Sequence, residues 1–215
     1  MDFLKNTIEK NLSVWQECLD TDFVQGIGNG KLPKDDFIYY IVQDSIYLRK
    51  YAQVLATGIV KADNMADIRT LYSFLSFVNE SESSTRLKYL ADAEITDLQA
   101  DRAAENPVNK AYTDFMMQCA TQGQLAEILM CALPCMLSYY WIFVKLVQQY
   151  PDSINGYYGP FLKDYTDKNY HIACQNWTAY TENLCKDYST ERKEKLAEIF
   201  YESCIHELNF WNMKK

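Results

Sequence analysis

A helical spacing of apolar residues runs along nearly the whole chain, and this pattern limits the fold more than any other feature. Apolar side chains recur three or four positions apart, and no segment shows the alternation expected of a half-buried strand. The spacing therefore predicts an all-α protein built as a helical bundle. The predicted helices lie near 2–20, 34–62, 64–92, 95–104, 107–121, 123–149, 156–165, 167–186 and 190–213.

Few residues interrupt these helices or separate domains. Only 7 glycines and 5 prolines occur in 215 residues, and no linker or low-complexity stretch is visible. A single domain over residues 1–215 is predicted, because 48% hydrophobic residues suffice for one buried core. The glycine-rich string "FVQGIGNGKLP" (23–33) does not follow a strand. It is therefore predicted to be a compact turn between two helices rather than a nucleotide-binding loop.

The N-terminal sequence and the cysteines predict a cytoplasmic protein. The string "MDFLKNTIEKNL" is amphipathic and carries charge early, unlike a signal peptide. The seven cysteines form an odd set at irregular spacings, which favours reduced thiols over a disulfide framework. Ile128–Val147 has about the length that a bilayer requires, but it contains Pro134, Ser138 and Lys145. It is predicted to be a buried core helix, and no membrane partner is expected.

Charge and histidine content argue against several classes of function. A net charge of −8 without clustered lysine or arginine argues against binding to a nucleic-acid backbone. The two histidines, His171 and His206, complete no zinc spacing. Neither has an acidic residue three positions earlier, as di-iron helices require. A haem or di-metal protein is thus disfavoured, and neither a metal nor a cofactor is predicted.

Two carboxyl groups fall on helix faces that should be apolar. At about 100° per residue, Asp44 lies near the centre of the apolar stripe of the helix at 34–62, and Tyr47 lies on its edge. Glu207 falls in the middle of the apolar face of the last helix. Burying a carboxylate is costly unless it is paired or hydrogen-bonded. Either acid taken alone is also compatible with a structural role, such as a hydrogen bond to a tyrosine hydroxyl.

A cysteine directly after a proline is the third unusual feature of the predicted core. Pro134 removes a backbone hydrogen bond from its helix, at a cost of about 3 kcal/mol. Cys135 alone is typical of a small inert core residue, but together with two inward acids it indicates a polar pocket. Seventeen tyrosines offer flat faces with hydroxyl tips, which suit a planar heteroaromatic ligand. Tyrosine-rich cores also occur without a ligand, and the residues themselves name no reaction.

Four strings resemble the thiaminase II (TenA) family in order and spacing. They are "FVQGIGNGKLP" (23–33), "YYIVQDSIYL" (39–48), "LAEILMCALPCMLSYYWI" (125–142) and "ELNFW" (207–211). The similarity covers essentially the whole chain and is weakest through 63–105. It implies an all-helical fold like that of haem oxygenase, a homotetramer and a role in thiamin salvage. Members with the cysteine hydrolyse 4-amino-5-aminomethyl-2-methylpyrimidine to the hydroxymethyl pyrimidine, and they cleave thiamin less efficiently.

The resemblance also implies roles for eight residues. Cys135 matches the family nucleophile in the L-P-C string, and Glu207 matches the catalytic acid in E-x-x-F-W. Asp44 matches the aspartate that binds the amidine edge of the pyrimidine. The other matches are substrate-binding aromatic residues: Tyr47, Tyr112, Tyr139, Tyr165 and Phe210. The family's chemistry implies no metal or organic cofactor.

The chain departs from the family pattern at three places. Thr21-Asp22 replaces a frequent His-Pro, Thr166-Asp167 replaces a frequent Gly-Gly, and "SESSTRLKYL" (81–90) lacks a common histidine. None of these changes touches the predicted nucleophile or acid. The alternative function is a non-catalytic pyrimidine-binding or regulatory protein. Loss of Cys135 or Glu207 would favour that alternative, and both residues are present.

Overall fold

The computed structural model describes residues 3–81 and 83–215. Side chains are described at all of these positions except 78–83. This part of the chain forms eleven α-helices and no strand, which confirms the predicted all-α bundle. The helices are α1 (Phe3–Leu19), α2 (Asp22–Gly28), α3 (Lys34–Lys61), α4 (Met65–Ser81), α5 (Ser83–Asp92), α6 (Asp97–Asp101), α7 (Pro107–Gln122), α8 (Leu125–Gln149), α9 (Gly159–Thr166), α10 (Lys168–Cys185) and α11 (Thr190–Trp211). A 3-10 turn, Pro151–Asn155, precedes α9.

The three longest helices, α3, α8 and α11, surround the middle of the core. α8 packs against α1, α3, α7, α10 and α11, and α3 packs against α4 to α7 as well. α7 contacts α3, α8 and α11. Side chains that point inward from these four helices therefore meet one another, and this is where the predicted site residues of α3, α7, α8 and α11 lie.

Hydrogen bonds from neighbouring helices hold the middle of α8, around Pro134. The Tyr51 hydroxyl donates to the carbonyl of Ala132 at 2.9 Å, and Ser203 Oγ donates to the carbonyl of Cys131 at 2.7 Å. A proline ring displaces the carbonyls of the preceding turn, which makes them available to side-chain donors. By length and composition α8 could cross a membrane, but 72% of its most apolar window is buried inside the protein.

Two predicted elements differ from the structure. The predicted turn at 23–33 is wrong in its first half, because α2 forms there with Thr21 as its N-cap. Gly28 ends this helix against the side chains of Leu146 and Tyr150, where a Cβ atom would lie 2.5–2.9 Å from them. The predicted helix at 95–104 shortens to α6, which a capping box between Thr96 and Gln99 begins. The predicted continuous helix at 64–92 corresponds to α4 and α5, with residue 82 outside the described residues.

Candidate active site

The Cys135 side chain is accessible in the middle of the most buried helix. Every residue of α8 from Ala126 to Tyr139 is buried except Cys135, which is partly exposed. Its thiol is not in a disulfide and it hydrogen-bonds the carboxyl of Glu207, which is itself buried. A partly exposed thiol on α8 therefore lies beside a buried carboxyl group on α11.

Glu207, on α11, is a buried carboxyl group with 1% of its surface exposed. The Tyr112 hydroxyl donates to Glu207 Oε1 at 2.7 Å and lies 3.0 Å from Ser203 Oγ. Burial raises the pKa of Glu207 to about 8, the hydrogen bonds from Tyr112 and Cys135 lower it in part, and the charge of Asp44 raises it further. Glu207 therefore carries a proton at neutral pH and can donate it.

Asp44, on α3, is the second buried acid, with 5% of its surface exposed. Burial raises the pKa of Asp44 to about 7, and the positive charge of Arg86 acts against this rise. Asp44 and Glu207 are thus two buried carboxyl groups that burial makes weaker acids than usual. We call Cys135, Glu207 and Asp44 the acid–thiol group.

Aromatic rings enclose the acid–thiol group. The hydroxyls of Tyr40 and Tyr139 lie 2.9 Å apart, and the ring of Tyr47 lies 5.1 Å from that of Tyr112. The Phe210 ring lies 5.7 Å from Tyr40 and 5.7 Å from Tyr47. Burial raises the pKa of Tyr40, Tyr47, Tyr112 and Tyr139 well above the usual value, so their hydroxyls stay neutral hydrogen-bonding groups. We call these five residues the aromatic wall.

The structure brings the sequence-predicted site residues together around one point. Seven of the eight belong to the acid–thiol group or the aromatic wall. The eighth, Tyr165 on α9, contacts the wall through Tyr139 at a ring distance of 5.0 Å. Their chemical roles stay predictions from the family resemblance. Among the described residues, no three histidine, cysteine, aspartate or glutamate side chains are arranged to hold a metal ion.

Three neighbours of the site were not among the predicted residues. Tyr40 and Ser203 lie one helical turn before Asp44 and Glu207, so the helical period would have placed both on the same inward faces. Arg86 extends from α5 to Ser45, the residue that follows Asp44 on α3, and no pattern in its own segment indicates this contact. Tyr40 completes the wall, Ser203 Oγ lies 3.0 Å from the Tyr112 hydroxyl, and Arg86 acts on the pKa of Asp44.

A cavity of about 660 Å³ borders the aromatic wall at Tyr40 and Phe210. It is lined by the connection between α2 and α3 and by residues 212–215, and it shares Tyr40 and Phe210 with the wall. No member of the acid–thiol group lines it. We call it the C-terminal cavity, and it is adjacent to the site rather than part of it.

The two buried acids make the stability of the fold depend on pH. Burial raises the pKa of Asp44 from 3.8 to about 7 and that of Glu207 from 4.5 to about 8. The native state therefore holds more protons than the unfolded state, and stability falls as pH rises from about 4 towards 8. The slope is up to about 1.4 kcal/mol per pH unit for each carboxyl group. In urea unfolding, Glu207→Gln is expected to gain stability relative to the wild type between pH 5 and pH 8.

A matched control for this prediction lies on the same helix. Glu191 is an exposed residue of α11 paired with Lys195, so Glu191→Gln is expected to change stability equally at both pH values. If the free energies of unfolding of wild type and Glu207→Gln differ by the same amount at pH 5 and pH 8, the buried, protonated state of Glu207 is contradicted.

Comparisons with known proteins agree with the fold and the motifs. The TENA/THI-4/PQQC family model matches residues 9–215. An aminopyrimidine aminohydrolase from Helicobacter pylori is 34% identical over 203 residues, 94% of this chain and 93% of that protein. An aminopyrimidine aminohydrolase from Halalkalibacterium halodurans is 29% identical over 213 residues, covering 99% of this chain and 95% of that one.

A solved structure supports the fold independently of these relatives. The structure of a TenA family transcription regulator from a Silicibacter species superposes with a TM-score of 0.88. It covers 98% of this chain and 95% of that chain at 21% identity, so the likeness concerns the fold alone. From the family match over nearly the whole length and the relative at 34% identity, we conclude that the chain belongs to the TENA/THI-4/PQQC family.

Proposed function

We propose that this protein is an aminopyrimidine aminohydrolase of thiamin salvage, a thiaminase II. Its substrate is 4-amino-5-aminomethyl-2-methylpyrimidine, which it hydrolyses to the 5-hydroxymethyl pyrimidine and ammonia. Thiamin is a poorer substrate that yields the same pyrimidine. Cys135 is the nucleophile, and Glu207 is the general acid.

The observation that carries this proposal is the partly exposed thiol of Cys135, hydrogen-bonded to the buried carboxyl group of Glu207, whose pKa burial raises to about 8. That arrangement places a nucleophile and an acid on one small ligand. The relatives from H. pylori and H. halodurans, which carry the name aminopyrimidine aminohydrolase, support the substrate class.

The chemistry begins with activation of the pyrimidine ring. The ring resists nucleophilic attack until one of its nitrogens is protonated, and Glu207 supplies that proton. The Cys135 thiol then gives its proton to the amino group on the exocyclic methylene, and its sulfur forms a bond to a ring carbon. The electron pair of the resulting enamine expels that amino group from the methylene as ammonia. Water adds to the methylene and gives one proton to the Cys135 sulfur as the carbon–sulfur bond breaks, and the proton on the ring nitrogen returns to Glu207.

Asp44 and the aromatic wall position the ring for this sequence. As the carboxylate, Asp44 accepts a hydrogen bond from the exocyclic amino group and fixes the orientation of the amidine edge. Phe210 packs on the ring, and Tyr47, Tyr112, Tyr139 and Tyr165 complete the enclosure. No step of the sequence uses a metal ion or an organic cofactor.

Mass spectrometry of products from the wild-type protein tests the proposed function. Incubation with 4-amino-5-aminomethyl-2-methylpyrimidine is expected to release ammonia and the hydroxymethyl pyrimidine in equal amounts, faster than thiamin is cleaved at the same concentration. In water enriched in ¹⁸O, the pyrimidine product gains one heavy oxygen. Binding of the aminopyrimidine without turnover of either compound would instead favour the non-catalytic binder.

The assembly and location are proposals of the same kind. We propose a homotetramer in the cytoplasm, as the family resemblance implies. Three large apolar side chains lie exposed near the junction of α3 and α4, namely Val60 on α3 and Met65 and Tyr72 on α4. They support a subunit contact at this surface. The protein mass in solution, from light scattering, tests the tetramer.

A further inference from the structure

Arg86 joins α5 to the part of α3 that carries Asp44. Its Nη1 donates to Ser45 Oγ at 2.6 Å and to Asp97 Oδ1 at 3.0 Å. The side chain of Arg86 is 14% exposed, whereas that of its partner Asp97 is 54% exposed. The guanidinium group therefore lies at the boundary of the core, with its ion pair on the solvent side.

Among the described side chains, the one acid that pairs with this guanidinium group is Asp97, on the solvent side. Ser45 is buried and uncharged, and its hydroxyl donates to the carbonyl of Ile41. The Nε–H of Arg86 is buried and has no hydrogen-bond partner among the residues that the structure describes. An exposed ion pair is screened by solvent, while a charge acts more strongly through the core. The guanidinium group of Arg86 thus contacts α3 at Ser45, the residue that follows Asp44.

The other groups that face Asp44 cannot replace this charge. They are Tyr40 on α3, Tyr139 on α8 and Glu207 on α11. Each of these groups is either neutral or negatively charged, so Arg86 is the one cation among the described residues that acts on Asp44. The positive charge lowers the pKa of Asp44 against the effect of burial.

We propose that Arg86 is a positioning residue whose charge favours the carboxylate form of Asp44, which accepts a hydrogen bond from the exocyclic amino group of the pyrimidine. Arg86 contacts the residue next to Asp44 and acts through Asp44 rather than on the reacting atoms. This inference rests on the proposed function for its role, while the charge coupling between Arg86 and Asp44 can be measured without any substrate.

Titration of the Asp44 side chain tests the coupling directly. The ¹³C resonance of its carboxyl carbon, assigned by its loss in Asp44→Asn, is followed from pH 4 to pH 9. The wild-type midpoint is expected near 7, and in Arg86→Gln it is expected to rise by about one pH unit or more. Arg86→Lys, which keeps the charge, is expected to restore most of the difference. Arg49→Gln removes an exposed arginine of α3 that bonds the carbonyl of Asp101, and no shift is expected.

Activity measured on the same variants gives a second readout. For Arg86→Gln, kcat/KM is expected to fall about tenfold relative to wild type at pH 6.5 and to differ less than about twofold at pH 8.5. The ratio of variant to wild type cancels any titration of the substrate. If Arg86→Gln does not fold, Asp97→Asn is used, because it leaves the guanidinium group less compensated and is expected to lower the Asp44 midpoint.

The outcomes separate the two proposals. An Asp44 midpoint that is the same in wild type and Arg86→Gln, or an unchanged or raised midpoint in Asp97→Asn, would overturn the role of Arg86 even if the enzyme is active. The opposite outcome is an Asp44 midpoint that differs between wild type and Arg86→Gln, in a protein whose wild type turns over neither aminopyrimidine nor thiamin. That outcome would leave the charge coupling intact and overturn the proposed function.

Discussion

Replacing Cys135 by alanine is expected to lower kcat/KM for the aminopyrimidine by roughly 10³-fold or more, because the covalent route is lost. The carbon–sulfur bond divides one difficult displacement into two easier steps, and no other thiol of the described residues hydrogen-bonds Glu207. Asp44 and the aromatic wall are unchanged in this variant. The affinity for the hydroxymethyl pyrimidine, measured by calorimetry, is therefore expected to stay within a few-fold of wild type.

Cys131 provides the control for this variant. It lies one turn earlier on α8, is fully buried, and donates from Sγ to the carbonyl of Ile128. Cys131→Ala is expected to affect stability while leaving kcat/KM within a few-fold of wild type. Equal turnover by wild type and Cys135→Ala would show that Cys135 is not the nucleophile.

Replacing Glu207 by glutamine is expected to lower kcat by about 10²–10⁴-fold, the usual contribution of general acid catalysis. Glutamine keeps the size of the side chain and can still accept the hydrogen bond from Tyr112, but it has no proton to transfer. Burial raises the pKa of Glu207 to about 8, so the wild-type rate is expected to decline above that pH. This alkaline limb should be absent from the residual activity of Glu207→Gln.

The pH profile separates a catalytic role of Glu207 from a structural one. Glu202, exposed on the same helix, provides the comparison, since Glu202→Gln is expected to keep both the rate and the alkaline limb. An undiminished rate in Glu207→Gln, with the decline near pH 8 retained, would assign the proton donor to another group.

The helical period was sufficient to place the inward side chains of the long helices. It put Asp44 and Glu207 on apolar faces of α3 and α11, and both are buried in the structure. It also predicted Ile128–Val147 as a core helix, which the structure shows as the centre of α8. Long helices are predictable in this way because each buries a stripe several turns long, so that a single polar exception is conspicuous.

Short elements and long-range contacts could not be read from the period. α2 has seven residues and two glycines, so its pattern indicates a turn, and its helix depends on the Thr21 cap and on packing against α8. Arg86 is separated from Ser45 by 41 positions, and their contact follows from how α5 docks on α3. The pairing of Ser203 with Tyr112 likewise depends on the packing of α11 against α7. Such contacts depend on tertiary packing, which a single sequence does not specify.

The most direct test of the account is a crystal structure of Cys135→Ala with 4-amino-5-aminomethyl-2-methylpyrimidine bound. The ring is expected between α8 and α11, with its exocyclic amino group on Asp44 and a ring nitrogen on Glu207. A ring carbon should lie where the missing sulfur could reach it, about 3–3.5 Å from the position of Sγ. A pyrimidine seated instead in the C-terminal cavity, with the acid–thiol group unoccupied, would contradict the assignment of the active site.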